Sequence, residues 1–544
     1  MKTLIVAINA KAVHKALSPW CLKAYAEKQG MCGDSNIEVL ECDINEPINE
    51  ILARIFSIKP IVLAFSCYIW NIEVVKKIAP LLKNLLGNVK IVLGGPEMNG
   101  VGHGEMIDDY SFADYIIVGQ GESAFYELLC DLYAKKPLKS RVMSGEYKEL
   151  CVLPSPFTSD YFASFSYEKI PIEKRLIYYE STRGCPFSCS YCTSSIIKGL
   201  ECVSIKRVKQ EVELLLRYGV TTIKFIDRTF NAENKRAENI LEFVGGLDAK
   251  CVFHFEVAPE LFSQGLLDII EKLPYGRVQF ELGLQSVNGK TLKAINRKQN
   301  VDKAIKNIKR LVGFGNCHIH IGLIAGLPYD NINDIKTAIN LSVETGVHCL
   351  QLGFLKMLKG TPILDLDFGA VYGNFAPYEV MQTNTLSFGE IIKLKQIEAI
   401  IDRFYNSGGF VETIKFACKE IFNNSAYVFF DKFSEYLKSK NIKTNASLEV
   451  CYEALCEFLI KNGGEAMAVH HYIKMDCFTF DRAGLALPKN IENNRQINAE
   501  KECRITHNIP QNIQIRAEYF ELDKSTQIFV YDNKDDITNR YKAI

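Results

Sequence analysis

Three cysteines stand closer together than any others among the eighteen in the chain. The stretch Ser181-Thr182-Arg183-Gly184-Cys185-Pro186-Phe187-Ser188-Cys189-Ser190-Tyr191-Cys192 spaces them CxxxCxxC, in a loop directly after an apolar, strand-like run. Thiolates are soft donors suited to iron–sulfur clusters or zinc. A [4Fe-4S] cluster has four irons, so three cysteine ligands leave one iron open to chelate a substrate or cofactor. A structural zinc site asks for four protein ligands; Cys202 is the nearest spare sulfur, and no histidine sits at finger-like spacing. Three separately buried thiols are the remaining reading. Spacing and loop context favour the cluster, held by Cys185, Cys189 and Cys192.

That stretch resembles the signature of the radical S-adenosylmethionine (SAM) superfamily, in which an aromatic residue precedes the last cysteine, as Tyr191 does here. The resemblance implies that the open iron binds the amino and carboxylate groups of SAM. It also implies that electron transfer from the reduced cluster cleaves a carbon–sulfur bond, giving a 5′-deoxyadenosyl radical that abstracts hydrogen. Arg297 resembles the arginine that meets SAM's carboxylate in this family, where a bidentate guanidinium explains Arg rather than Lys. Gly322-Leu323-Ile324-Ala325-Gly326-Leu327-Pro328 resembles the family's fifth-strand glycine motif, with Gly326 letting the backbone approach adenine. Asp227, at a strand end, is read either as orienting SAM or as capping the next helix. Glu281 and Gln285 are polar residues in a buried-looking strand; a carboxylate there calls for a ligand or cation, and both are taken as SAM-site candidates. His254 and His320 fit core histidines better than substrate contacts, while Glu256 and Lys356 are pocket candidates without assigned roles.

The elements that must position these residues follow from the apolar pattern. Short apolar runs at residues 4–8, 37–40, 61–65, 89–93 and 115–118 alternate with helical segments, which predicts a doubly wound, five-stranded α/β domain over residues 1–150. Residues 151–170 carry Pro and Ser without periodicity and read as a linker. Over residues 171–365, six further strand–helix units predict a partial (β/α)6 barrel with its site at the carboxyl ends of the strands. In the helix that follows Ser204, Val208, Val212, Leu215 and Leu216 fall on one face and Gly219 is placed to end it. Residues 366–544 read as a mainly helical region of unknown role, in which the aromatic stretch at 427–436 is core.

A five-stranded doubly wound domain directly before such a barrel resembles the cobalamin-binding class of the superfamily. The resemblance puts Ser66, Gly94, Gly95, Gly119, Gly121 and Glu122 at the cobalamin, since ligands of these sheets sit at the carboxyl ends of the strands. Many such domains carry Asp-x-His-x-x-Gly with a cobalt-ligating histidine; Ala12-Val13-His14-Lys15-Ala16-Leu17 keeps His14 but lacks the Asp and the Gly, so a cobalt bond from His14 is not expected. Through the same resemblance the chain is expected to be a cobalamin-dependent methyltransferase acting on an inert carbon. The alternatives are a radical SAM enzyme of rearrangement, cyclisation or methylthiolation that does not use cobalamin for methyl transfer, and a cluster-containing sensor.

Composition narrows the partners. Lys and Arg number 64 and so do Asp and Glu, so no net charge draws the chain to nucleic acid or an anionic membrane. No apolar run nears the roughly 20 residues of a membrane span. The scattered single cysteines suit a reducing compartment, so a cytoplasmic location is expected. A small-molecule or peptide substrate and a one-electron donor such as flavodoxin or ferredoxin complete the expected set.

Overall fold

A computed structural model describes residues 2–31, 36–100, 108–137, 140–196, 199–481 and 484–543. The chain forms two compact units: Met1–Leu273 with Lys293–Lys298 and Leu355–Met381, and Pro274–Leu292 with Gln299–Phe354 and Gln382–Ile544.

The first unit begins with strands β1 (Thr3–Asn9), β2 (His14–Lys15), β3 (Ile37–Asp43), β4 (Val62–Ser66), β5 (Lys90–Gly94), β6 (Tyr115–Ile117) and β7 (Val142–Met143). All but β2 form one parallel sheet in the order β3-β1-β4-β5-β6-β7. Six consecutive residues of β1 are buried, because helices cover both faces. On one face Ile72, Val75, Ile78, Ala79 and Leu82 repeat at helical spacing and fill the core; on the other Ala124, Phe125, Leu128 and Leu129 do the same. The five expected strands are present. A two-residue sixth, β7, extends the edge beyond them.

Strand β2 leaves this sheet. His14 pairs in parallel with Leu176 at the start of β8 (Leu176–Tyr179), and the Arg175 guanidinium bonds the Ala12 carbonyl. The stretch read as a linker is itself folded. Thr158 caps the short helix Ser159–Ala163, and the Tyr161 ring meets Trp20, Phe157, Phe162 and Phe165 edge-on.

After β8 the chain turns into β9 (Thr182–Cys185), which pairs antiparallel with β10 (Gly199–Cys202). Strands β11 (Thr222–Phe225) and β12 (Val252–Val257) continue the parallel set beside β8. The second unit holds β13 (Val278–Gln285), β14 (His318–Ala325) and β15 (Cys349–Phe354), also parallel. Each unit thus holds three of the six strands expected for the partial barrel. Their burial alternates: Phe253 and Phe255, Phe280 and Leu282, and Ile319 and Ile321 are buried, while the residues between them are half-buried. Helix Ile205–Arg217 buries Val208, Val212 and Leu215 as expected, and Gly219 follows it at φ 85°.

The rest of the second unit is mainly helical, from Phe388–Ile400 to Ile497–Thr506, followed by the antiparallel strands Gln514–Phe520 and Ser525–Tyr531. Phe429, Phe430 and Phe433 are fully buried, so the aromatic stretch is core. Among the described residues no helix is long and apolar enough to cross a membrane.

Candidate functional site

The cysteine arm is set by a buried carboxylate. Asp227, just past the end of β11, accepts from the backbone N–H groups of Ser181 and Thr182, each at 2.8 Å, and from the Ser181 hydroxyl at 2.5 Å. Those groups form the bend between β8 and β9, so the aspartate fixes the strand that ends in Cys185. Burial pushes its carboxyl up to about 6, although these hydrogen bonds and Arg236 pull the other way. Arg236 also bonds the Ser181 carbonyl at 3.1 Å and the Val203 carbonyl at 2.7 Å. Asp227 does not cap the next helix, since Asn234–Gly245 starts without a side-chain cap.

Past β9 the loop is held by main chain. Ser190 N–H donates to the Ile295 carbonyl and its own carbonyl accepts from Ile363, both at 2.9 Å. The Asn296 amide bonds the Ser188 carbonyl at 3.1 Å. Cys189 is buried; Cys185 and Cys192 are half-buried. The Arg297 guanidinium lies 3.9 Å from the Cys189 sulfur and 3.5 Å from the Tyr191 hydroxyl. Burial pushes the Cys189 thiol up, Arg297 works against that, and the neighbouring Cys192 and Cys185 add to it. Burial likewise opposes the charge of Arg297, yet Tyr191, Cys189 and Glu260 hold its pKa above the ordinary value. One step before the motif, Arg183 binds Glu180 through Nε at 3.0 Å and Nη2 at 2.7 Å, and Glu122 through Nη2 at 2.9 Å.

The carboxyl edge of the first sheet is built differently. Its order reverses between β1 and β4, where a crevice opens in folds of this kind. There the Ser66 hydroxyl meets that of Ser18 at 2.9 Å, and Ser18 meets the Tyr68 hydroxyl at 3.2 Å. Tyr68 and Trp70 stack with centroids 4.3 Å apart, and Trp70 remains exposed. Asn71 ties this loop to the Ile8 and Ser66 carbonyls. Gly95 stands at φ 105°, where a Cβ would come 2.6 Å from the Cys67 carbonyl oxygen. Gly119 stands at φ 77° with nothing within 4 Å of an added Cβ.

Family models match three stretches: "Radical SAM superfamily" over residues 179–342, "B12 binding domain" over residues 3–129 and "Protein of unknown function (DUF4080)" over residues 366–535. The chain carries a radical SAM domain and a B12-binding domain. It is 26% identical to the cobalamin-dependent radical SAM methyltransferase TokK of Streptomyces tokunonensis, over 58% of this chain and 50% of that protein. It is also 26% identical to the 2-(S-pantetheinyl)-carbapenam-3-carboxylate methyltransferase of Streptantibioticus cattleyicolor, over 53% of this chain and 46% of that one. The radical SAM protein thus spans about half the length of these two curated relatives. Its fold resembles that of the cobalamin-dependent SAM radical enzyme OxsB with aqua-cobalamin bound, at a TM-score of 0.57, 13% identity and coverage of 87% and 79% of the two chains.

The cofactors of this class are a [4Fe-4S] cluster, SAM and cobalamin, and the radical SAM protein's residues fit them. Among the described residues, the buried hydroxyls of Ser190, Ser194 and Thr182 have no hydrogen-bond partner, and all three lie on or beside the cysteine arm. Cys202 pairs with Thr182 at the far end of the hairpin, three residues from the partner of Cys185, or about 10 Å along the strand. It is therefore remote from the trio as a fourth ligand. Among the described residues no three His, Cys, Asp or Glu side chains converge as ligands of a single ion do. At the sheet edge, Gln120 Nε2 is buried without a partner beside Gly119 and Gly121.

Of the sequence candidates, Tyr191, Asp227 and Arg297 lie with the cysteines in the first unit, as do Ser66, Gly94, Gly95, Gly119 and Gly121 at the sheet edge. Glu122 is buried against Arg183 rather than turned to the open edge. Glu281, Gln285 and Gly326 belong to the second unit. There Glu281 is half-buried on β13 beside His320, Gln285 ends β13 at φ 64° after a register shift, and Gly326 follows β14 at φ 89°. His14 bonds Tyr178 at 3.2 Å, and Glu256 pairs with Lys224 at 3.5 Å on the half-buried face of β12. His320 meets Gln279 at 2.7 Å, and Lys356 is exposed and bridged to Glu379. Sequence reasoning missed Ser18, Tyr68, Trp70 and Arg183. Aromatic residues shortly after a strand-end serine, and an arginine two positions before the cysteine motif, were the available signals.

Proposed function

We propose that this radical SAM protein is a cobalamin-dependent methyltransferase acting on an unreactive carbon of a small-molecule or peptide substrate. The observation that carries the reading is one compact unit containing both a three-thiol arm backed by Arg297 and an open sheet edge of glycine, hydroxyl and stacked aromatic groups. Two relatives named as methyltransferases support it. In this reading Cys185, Cys189 and Cys192 hold the cluster; Tyr191, Arg297, Glu281, Gln285 and Gly326 serve SAM; and Ser66, Gly94, Gly95, Gly119 and Gly121 serve the corrin. When bound, these groups supply one-electron cleavage of SAM and a methyl group for transfer.

The chain's own residues position. Asp227 fixes the bend that delivers the arm, and the Arg297 guanidinium offers a fork to a carboxylate while balancing thiolate charge. Residues 1–150 form the cobalamin domain, 151–170 the linker, 171–365 the radical SAM barrel and 366–544 a carboxy-terminal region. Flavodoxin or ferredoxin would supply the electron. Anaerobic reconstitution with iron, sulfide and hydroxocobalamin, followed by metal analysis and an assay for 5′-deoxyadenosine after dithionite reduction, tests the reading. Iron and cobalt with deoxyadenosine are expected. Iron and deoxyadenosine without cobalt would favour rearrangement, cyclisation or methylthiolation instead, and no iron would refute both.

A further inference from the structure

Arg183 joins the cysteine arm to the helix that follows β6. It sits two positions before Cys185, is largely buried, and gives its Nε and Nη2 to carboxylates: Glu180 of the same arm by two hydrogen bonds and Glu122 by one. Glu122 opens helix Glu122–Tyr133, directly after Gly119-Gln120-Gly121, the turn that ends β6 at the open sheet edge. Gly119 has open space beside it, and Gln120 has an unsatisfied buried amide nitrogen. A ligand settling on that turn therefore acts on a segment whose next residue grips the cysteine arm. Gly184, at φ 86° between Arg183 and Cys185, pairs with Leu200 of β10, so Arg183 and the first cysteine stand on one paired strand. Buried, charge-assisted contacts of this kind transmit small displacements because they have few alternative geometries.

We propose that Glu122 is a positioning residue, not a cobalamin contact, and that through Arg183 it couples occupancy of the cobalamin edge to the geometry of the cysteine arm and hence to SAM binding. The inference rests on the cofactor set of the proposed function. Coupling is reciprocal, so cobalamin must change SAM affinity by the factor by which SAM changes cobalamin affinity.

The test uses the full chain, reconstituted anaerobically with iron and sulfide. SAM affinity is read from the perturbation of the reduced cluster's paramagnetic resonance signal, with and without saturating hydroxocobalamin. In the unsubstituted chain SAM affinity is expected to differ at least about fivefold between the two states, the low end of ordinary allosteric coupling. Glu122→Gln is expected to keep stoichiometric cobalamin and its cluster while the difference falls below about twofold. Glu180→Gln, which leaves the Glu122–Arg183 bond in place, is expected to keep the coupling.

Three results would overturn the proposal: no difference in the unsubstituted chain, full coupling in Glu122→Gln, or loss of cobalamin binding in Glu122→Gln, which marks a direct contact. Should Glu122→Gln fail to fold, Arg183→Lys carries the same test, because a point charge cannot serve both carboxylates. Loss of coupling there supports the proposal and intact coupling refutes it. Failure of the underlying cofactor reading is distinguishable, since the unsubstituted chain would then bind no iron or no cobalt.

Discussion

The cysteine arm and the carboxyl edge of the first sheet, proposed to hold cofactors of different size, are built in opposite ways. The arm is bonded at nearly every step: Asp227 at the bend, Glu180 and Glu122 on Arg183, Ile295 and Ile363 on Ser190, Asn296 on Ser188. At the sheet edge, glycines, three hydroxyls bonded to one another and a stacked tyrosine–tryptophan pair are gathered, and only Gly119 and Trp70 stand open. A small metal group needs few ligands at fixed geometry, so the protein invests polar contacts in holding them still. A large corrin gains affinity from area, which backbone and flat side chains provide without tight orientation.

Breaking the arm should therefore have the larger effect. Cys189→Ser is expected to remove the cluster and bring 5′-deoxyadenosine formation to background while cobalamin binding persists, as iron and cobalt analysis on one sample would register. Retained iron in that variant would contradict the ligand assignment.

Asp227→Asn should act next most strongly, and with a characteristic pH dependence. Burial holds the folded carboxyl up at about 6, above its ordinary 3.8. A raised folded pKa means stability that is fully present below about pH 4 and is lost as pH rises through about 6. The asparagine variant does not titrate, so its deficit against the unsubstituted chain should be largest near pH 4 and shrink by up to about 3 kcal/mol by pH 7. Denaturant unfolding at the two pH values measures this, and equal deficits would show that Asp227 is not buried as described. At neutral pH the variant keeps one oxygen for the Ser181 and Thr182 N–H groups but replaces the acceptor of the Ser181 hydroxyl by an NH2 group, a loss worth about 1–3 kcal/mol, and iron occupancy should fall with stability.

The sequence carried the arm's chemistry and much less of its support. CxxxCxxC is a local pattern, so three candidate ligands are legible from spacing and loop context. That Asp227 serves the Ser181–Thr182 bend depends on where the end of β11 returns beside β8, a fact of strand pairing that no local window contains. Glu122 shows the same limit: its place after a glycine-bearing strand end was visible, but its partner lies 61 residues away on another element. The five principal strands of the first sheet were legible because buried parallel strands read as continuous apolar runs. Strand β7, two residues long, leaves no such run, and the departure of His14 into the neighbouring sheet is decided by Arg175 and Leu176 far along the chain.

The smallest expected effects lie at the sheet edge, and two glycines there separate fold from ligand. In Gly95→Ala the new Cβ would meet the protein's own backbone at Cys67 and take up a left-handed φ, so the loss should be mainly of stability, about 2 kcal/mol or more. Gly119→Ala pays the backbone term alone, about 1 kcal/mol, because its Cβ points into open space. If that space receives the corrin, Gly119→Ala should weaken hydroxocobalamin binding about tenfold, equivalent to some 1.4 kcal/mol, with cluster content unchanged. Unfolding curves and cobalamin titrations on both variants give the comparison. Unchanged cobalamin affinity in Gly119→Ala would move the corrin away from the β6 end, toward Ser66 and the Tyr68–Trp70 pair.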